Sequence, residues 1–526
     1  MTINSSRELA RPAPYRTRIL LFPAFLLAMM GASITWAADI QNPDTDTAES
    51  LTKHAAKEVK RGDLADAEKL LRRALEISPQ NSTTRVTLAY LLVKKRHWTE
   101  AYDIALDLAK AEPKNSRAYA VLGVALLNAG RFTEAKTILH NALAINKREA
   151  LAWAGCGMLD FYENRIEDGL SNLQVAVYLD PGDADFVFTL AQVSARAERY
   201  AEAADAYKAF LSIADKSDTE RRDRIKGLID FLRYLGQRDS LYVTAGADST
   251  SVPISVVGNR PIIKLHVNDN ERPLNFVLDT GSGISVISNR TAELLKLKPV
   301  ARGGYAKGIG GDGKFEIIYG FLRQVGIGDV KVRNIPVYIR EFHNTSEDID
   351  GYIGLSLISK FLTTLDYGNL TFDLRKKNTI AEQSGVETLS LPLRLTSSGF
   401  LSGEVQLEGI DSPLNFIVDT GASVSVISDD IAGMDKVSHF AQEEKLRVIG
   451  SAGITEDVPT FLLPRVSFGT HSRRSITAIA LDLDLINEAS GFQQSGILGG
   501  NFLRNYKLTF DFKNSKVTFV PIGLEK

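Results

Sequence analysis

The stretch PLNFVLDTGSGISVIS occupies residues 273–288, and PLNFIVDTGASVSVIS occupies residues 413–428, 140 positions further on. Both place an Asp-Thr-Gly triplet between an apolar run and a closing Ser-Val-Ile-Ser. Three apolar residues precede each aspartate, Phe-Val-Leu in the first copy and Phe-Ile-Val in the second, which predicts a buried strand running into a turn. A lone triplet of this kind is weak evidence, because Asp, Thr and Gly make turns in many settings. Its repetition in full context argues against turn chemistry alone.

The correspondence extends past these residues. KGIGGDG (307–313) and RVIGSAG (447–453) are also 140 apart, so no gap separates them from their aspartates. DGYIG (350–354) matches SGILG (495–499), with Asp350 replaced by Ser495, and LDYGNLTF (365–372) matches FDFKNSKVTF (510–519). Upstream, PIIKLHV, the turn NDNERP and LNFVLD predict a hairpin leading into Asp279, and residues 399–419 do the same for Asp419. The order in each copy is hairpin, triplet, short helix, Gly-rich hairpin, apolar-apolar-Gly, terminal strands. The expected domains are 245–376 and 389–523, joined by a polar linker over 377–388.

Each copy resembles a retropepsin-like aspartic protease domain, the family of the retroviral proteases, over roughly 252–376 and 391–521. The resemblance implies two all-β domains that meet as a pepsin-like pseudo-dimer, each supplying one catalytic carboxyl. Asp279 and Asp419 would form the dyad. Amide hydrolysis of this type needs a base for water and an acid for the carbonyl oxygen. Two carboxylates about 3 Å apart cannot both ionise, so they share a proton.

The same resemblance assigns supporting roles. Thr280 and Thr420 would hydrogen-bond across the domain interface, and Gly281 and Gly421 would let the two loops approach. Ser282 stands where the second copy has Ala422. A serine hydroxyl donating to its carboxylate would favour the charged form, so Asp279 is expected to carry more of the negative charge. Gly308, Ile309, Gly310 and Gly311, with Ile449, Gly450 and Ser451, are expected to form two flaps that bind an extended peptide. YIG (352–354) and ILG (497–499) are expected to support the catalytic loops.

The first half reads differently. Ala67, Ala101, Ala135, Gly169 and Ala203 are each 34 residues apart, and Ala55, Ala89, Gly123, Gly157 and Ala191 keep the same step. Pro79, Pro113 and Pro181 fall on it too, with Lys147 and Asp215 at the remaining slots. This period resembles the tetratricopeptide repeat. The resemblance implies an all-α solenoid over 48–236, of about five repeats and a capping helix, with a concave groove for a partner protein or peptide.

Bulk composition narrows the classes. The 526 residues are 44% apolar and 24% charged with a net charge of −2, which gives no general attraction to nucleic acid or anionic membrane. Cys156 is the single cysteine, so no intrachain disulfide forms, and its apolar surroundings predict a buried small residue. Seven scattered histidines with no HExxH or paired-Cys spacing predict neither metal nor cofactor. Arg7, Arg11, Arg16 and Arg18 precede an apolar stretch over 19–34 and then Thr35-Trp36-Ala37, the pattern of a secretory signal peptide at 1–37. An uncleaved inner-membrane anchor is the alternative; either places the chain outside the cytoplasm, and the absence of disulfides points to a bacterial periplasm. The leading reading is an exported aspartic endopeptidase acting on protein or peptide. The alternatives are a silent peptide-binding scaffold and an enzyme whose domains pair between chains.

Overall fold

The computed structural model describes residues 47–238, 240–343, 348–377 and 389–523. The expected signal segment, 1–37, and residues 378–388 of the expected linker lie outside these. Among the described residues, no helix is long and apolar enough to cross a membrane.

Five helix pairs run from Ala48–Arg61 to Tyr200–Ile213. The small residues sit where paired helices touch. Ala67, Ala101, Ala135 and Ala203 are fully buried, and a Cβ on Gly157 would stand 3.0 Å from the Gly169 carbonyl oxygen. A larger side chain there would push the pair apart. Asp63, Asn81, Asn115 and Asp183 each accept a backbone N–H in the first turn of their helix, satisfying a donor the helix leaves open. The prolines follow helix ends at Ser78, Glu112 and Asp180, where a missing N–H costs nothing in the ladder. Cys156 is buried, which pushes its thiol up to about 12 and leaves it inert.

The array curls until its ends meet. Lys60 pairs with Asp180 at 2.6 Å, and Arg61 lies 3.2 Å from Asp215. Inside the coil the Tyr90 hydroxyl donates to Asp183 at 2.8 Å, and Lys94 lies 2.9 Å from Asp185. The groove expected from the repeat is therefore covered by the array's own side chains. The inner helices Ser82–Lys94 and Ser116–Asn128 are buried on nearly every face, so they close on one another rather than line an open channel.

The β half holds one sheet per copy and a third shared between them. Strand Leu274–Leu278 pairs in parallel with Gly351–Ile353, and Leu414–Val418 pairs in parallel with Gly496–Leu498. Apart from Asn275 and Asn415, Leu274–Leu278 and Leu414–Val418 are apolar, as suits strands covered on both faces. In the shared sheet, Phe361–Asp366 runs antiparallel to Tyr506–Asp511, with Leu362 opposite Asp511 and Asp366 opposite Lys507. The terminal strands of the two copies thus join them within one chain, as a pseudo-dimer.

The helical half docks on both copies. On the second, the Phe492 ring meets Phe132 edge-on at 4.9 Å, and the Gln493 amide donates to the Asn128 carbonyl at 2.8 Å. On the first, Phe231 of the capping helix Leu228–Gly236 lies 4.6 Å from the Tyr319 ring. Gly227, at φ +74°, lies so close to the Arg302 carbonyl that a Cβ would strike it.

Candidate active site

Each aspartate stands one residue past the end of its buried strand. The Asp279 amide donates to the Ile353 carbonyl at 3.0 Å, and the Asp419 amide donates to the Leu498 carbonyl at 3.0 Å. The YIG and ILG segments therefore set the height of the two loops. Thr280 and Thr420 cross between the copies. The Thr280 hydroxyl donates to the Val418 carbonyl at 2.6 Å and accepts the Thr420 amide at 3.1 Å. The Thr420 hydroxyl donates to Leu278 at 2.7 Å and accepts the Thr280 amide at 3.2 Å. All four bonds are buried, so the interface is fixed at the residues following the carboxyls.

The glycines allow the carboxyls to meet. A Cβ on Gly281 would fall on the Asp419 carboxylate, and one on Gly421 would lie 2.7 Å from the Asp279 carboxylate. Asp419 accepts the amides of Gly421 at 2.7 Å and Ala422 at 3.2 Å, whereas Asp279 accepts the Gly281 amide at 2.9 Å. Burial raises both carboxyls above the usual range. The Asp419 charge pushes Asp279 further up, while donors, Asp279 among them, pull Asp419 back down. The two carboxyls thus share a proton, and the additional amide donor of the second loop favours the charge on Asp419.

The hydrogen bond on which the charge assignment expected from Ser282 rested does not form. The Ser282 hydroxyl donates to the Ile284 carbonyl at 2.9 Å, so its proton is turned away from the Asp279 carboxylate. The asymmetry comes from backbone amides, which the residue types alone do not reveal.

Residues 308–313 and 450–453 are the tips of two hairpins, Ala301–Lys307 with Lys314–Ile327 and Ala441–Ile449 with Ile454–Phe468. The tips meet over the carboxyls: the Ala452 amide donates to the Ile309 carbonyl at 2.8 Å and the Gly311 amide to the Ile454 carbonyl at 3.4 Å. Gly310, at φ +91°, would drive a Cβ into the Gly453 carbonyl, and Gly311 would place one 2.7 Å from the Ala452 carbonyl oxygen. The contact requires bare backbone on both sides. Gly450 approaches the Ile309 carbonyl in the same way, and Gly308 is approached by the Ser451 side chain. Ile449 lines the cavity beside them.

Beneath the tips lies a cavity of about 690 Å³ that contains Asp279 and Asp419. Arg224 and Leu228, from the capping segment of the helical half, also line it. Lys307 ties that segment to both copies by pairing with Glu220 and Glu488. Sequence reasoning missed Arg224, Leu228, Lys307 and Arg340 as cavity residues. The Lys at the head of KGIGGDG was the one visible hint; nothing in the sequence links residue 224 to residue 279.

Comparison with known proteins agrees with this architecture. The family described as aspartyl protease matches residues 263–357 and 403–502. Two tetratricopeptide repeat families match residues 58–123 and 157–218. BBSome complex member BBS4 of Bos taurus is 26% identical over 143 residues, 27% of this chain and 28% of that protein, so the chain spans about a quarter of the curated relative it matches. The crystal structure of a thermophilic tetratricopeptide protein from Thermus thermophilus covers 34% of this chain and 95% of its own, at 22% identity and a TM-score of 0.28. The chain is thus a helical repeat array that matches tetratricopeptide families, followed by two β-rich domains that match the aspartyl protease family in tandem.

Proposed function

We propose that the protein is an exported aspartic endopeptidase. The observation that carries this reading is the pair of half-buried carboxyls, one from each copy, in a single peptide-sized cavity with unequal donor sets. Asp419, ionised, takes a proton from a water molecule as its oxygen attacks the scissile carbonyl carbon, and Asp279 gives its proton to the carbonyl oxygen. Collapse of the tetrahedral intermediate breaks the C–N bond, and the dyad returns a proton to the departing amine. The hairpin tips must part to admit an extended peptide, whose backbone would then replace the tip-to-tip hydrogen bonds.

Residues 1–37 support export to a periplasm. The repeat array supports protein association, and its closed inner face directs any partner to the outer helices. The catalytic site residues are Asp279 and Asp419; Thr280, Gly281, Thr420 and Gly421 position them.

The test is cleavage of a mixed peptide library from mild acid to neutral pH by the chain from Ala38 onward. Asp279→Asn and Asp419→Asn are assayed singly and mixed. Wild-type cleavage, two dead variants and a dead mixture are the expected result. A mixture that regains activity would mean domains pairing between chains, and a wild type that cuts nothing would turn the reading to a peptide-binding scaffold.

A further inference from the structure

The cavity over the dyad is unevenly charged. Arg224, Arg260, Lys307, Arg340 and Arg447 line it, and among the described residues its carboxylates are those of Asp279 and Asp419. Three of these cations are paired by carboxylates outside the cavity lining. Lys307 pairs with Glu220 and Glu488, Arg224 lies 3.4 Å from Glu220, and Arg447 lies 2.9 Å from Glu456.

Arg340 is held differently. It ends the strand Val330–Arg340, and its guanidinium donates to the carbonyls of Glu341 and Ser451, both at 3.0 Å. It lies against three rings, 5.2 Å from Phe315, 4.8 Å from Phe342 and 5.9 Å from Tyr352. Among the described residues no carboxylate forms an ion pair with it, and the carboxyl whose charge it feels is the catalytic Asp279. A guanidinium carries five N–H donors in a rigid fork suited to a carboxylate. Here its fixed partners are neutral carbonyls, one of them on the second hairpin tip. Lifting that tip for substrate would open the Ser451 bond and free a donor of the fork within the cavity.

We propose that Arg340 is an anion subsite that reads an Asp or Glu side chain of the peptide substrate close to the scissile bond. A substrate carboxylate would supply the bidentate, charge-assisted partner that the protein withholds. The aromatic floor keeps the planar guanidinium in place while the tip moves. The inference rests on the protease reading and adds the substrate class. The competing role is a latch, in which Arg340 serves only to hold the second hairpin tip down.

Matched peptides with blocked termini, differing by Glu against Gln at one position, separate the two when that position is scanned along the peptide. Wild type is expected to cleave the Glu peptide at least tenfold faster in kcat/KM at one position. Arg340→Gln should abolish that preference while still cutting the Gln peptide, Arg340→Lys should restore part of it, and Arg340→Glu should favour a Lys peptide. Cleavage with no Glu preference at any position would overturn the inference, as would an Arg340→Gln variant that loses both peptides equally. Should the wild type cut neither peptide, the protease reading fails first. The same pair is then titrated into the wild-type chain by calorimetry, where tenfold tighter binding of the Glu peptide supports the subsite and equal binding overturns it.

Discussion

The two copies repeat sixteen residues with few changes, yet they hold their aspartates differently. Asp419 accepts two amides of its own loop and Asp279 accepts one. The most visible sequence difference, Ser282 against Ala422, acts elsewhere, because the serine hydroxyl is bound to Ile284. The supports differ as well. Asp350 accepts the Asn275 amide at 2.9 Å and the Thr291 hydroxyl at 3.0 Å beneath the first loop, where the second copy has Ser495 and no carboxylate. The first hairpin's strand Ala301–Lys307 leans on the helical cap, where Arg302 meets Gly227 and Lys307 pairs with Glu220, while Phe492 and Gln493 of the second copy touch the array. A duplicated site thus becomes unequal through backbone donors and neighbours before its catalytic side chains diverge.

Removing either carboxyl breaks the comparison most severely. Asp279→Asn and Asp419→Asn should each lower peptide hydrolysis by roughly 10³-fold or more, since each deletes a proton-transfer partner. Stability should move the other way. The folded-state Asp279 carboxyl lies well above its unfolded value of about 3.9, so the folded protein binds more protons. Its contribution is fully present below that unfolded value and is lost as pH rises toward the folded one. Asp279→Asn should therefore melt higher than wild type at pH 7, with the difference shrinking toward pH 4. A lower melting temperature at pH 7 would contradict a raised Asp279 carboxyl.

The glycine exchanges come next. Gly281→Ala puts its methyl onto the Asp419 carboxylate and Gly421→Ala places one 2.7 Å from Asp279. Displacing a carboxyl by about 1 Å costs on the order of 10²-fold in rate. Both variants should fall in kcat rather than in KM, with Gly281→Ala the worse of the two. Equal activity to wild type in either would mean that the loops are further apart than described. Thr280→Val tests the interface: it strands the Val418 carbonyl and the Thr420 amide, each costing about 1–3 kcal/mol when buried. The expected readout is a lower urea midpoint, with Thr420→Val matching it if the crossing is symmetric.

The fold was legible where a pattern repeats. The 34-residue step located the helix contacts because only small residues fit where two backbones touch, as at Gly157 and Gly169. The 140-residue offset located both aspartates and both hairpin tips because a paired site requires the same frame twice. What the sequence hid are consequences of curvature and of contacts between distant segments. The array closes through Lys60 with Asp180 and Arg61 with Asp215, pairs whose meeting depends on the summed rotation of five repeats. Leu228 reaches the cavity because the cap is docked against Tyr319, a tertiary contact with no local signature. Arg340 was hidden for the same reason: its guanidinium is held in part by a carbonyl contributed by the other copy.

The smallest expected effect sharpens the comparison most directly. If the Ser282 hydroxyl set the charge of Asp279, Ser282→Ala would raise that carboxyl and move the pH profile of kcat/KM upward. The hydroxyl instead donates to a carbonyl within its own loop, so its loss removes one turn hydrogen bond worth about 1 kcal/mol. The pH profile of Ser282→Ala should overlay that of wild type, with kcat/KM within about twofold at every pH, since no donor to either carboxyl changes. A profile displaced by half a pH unit would return the asymmetry to the side chain. An unmoved profile leaves it with the Ala422 amide, which the first loop does not match although its Gly281 amide is the counterpart of Gly421.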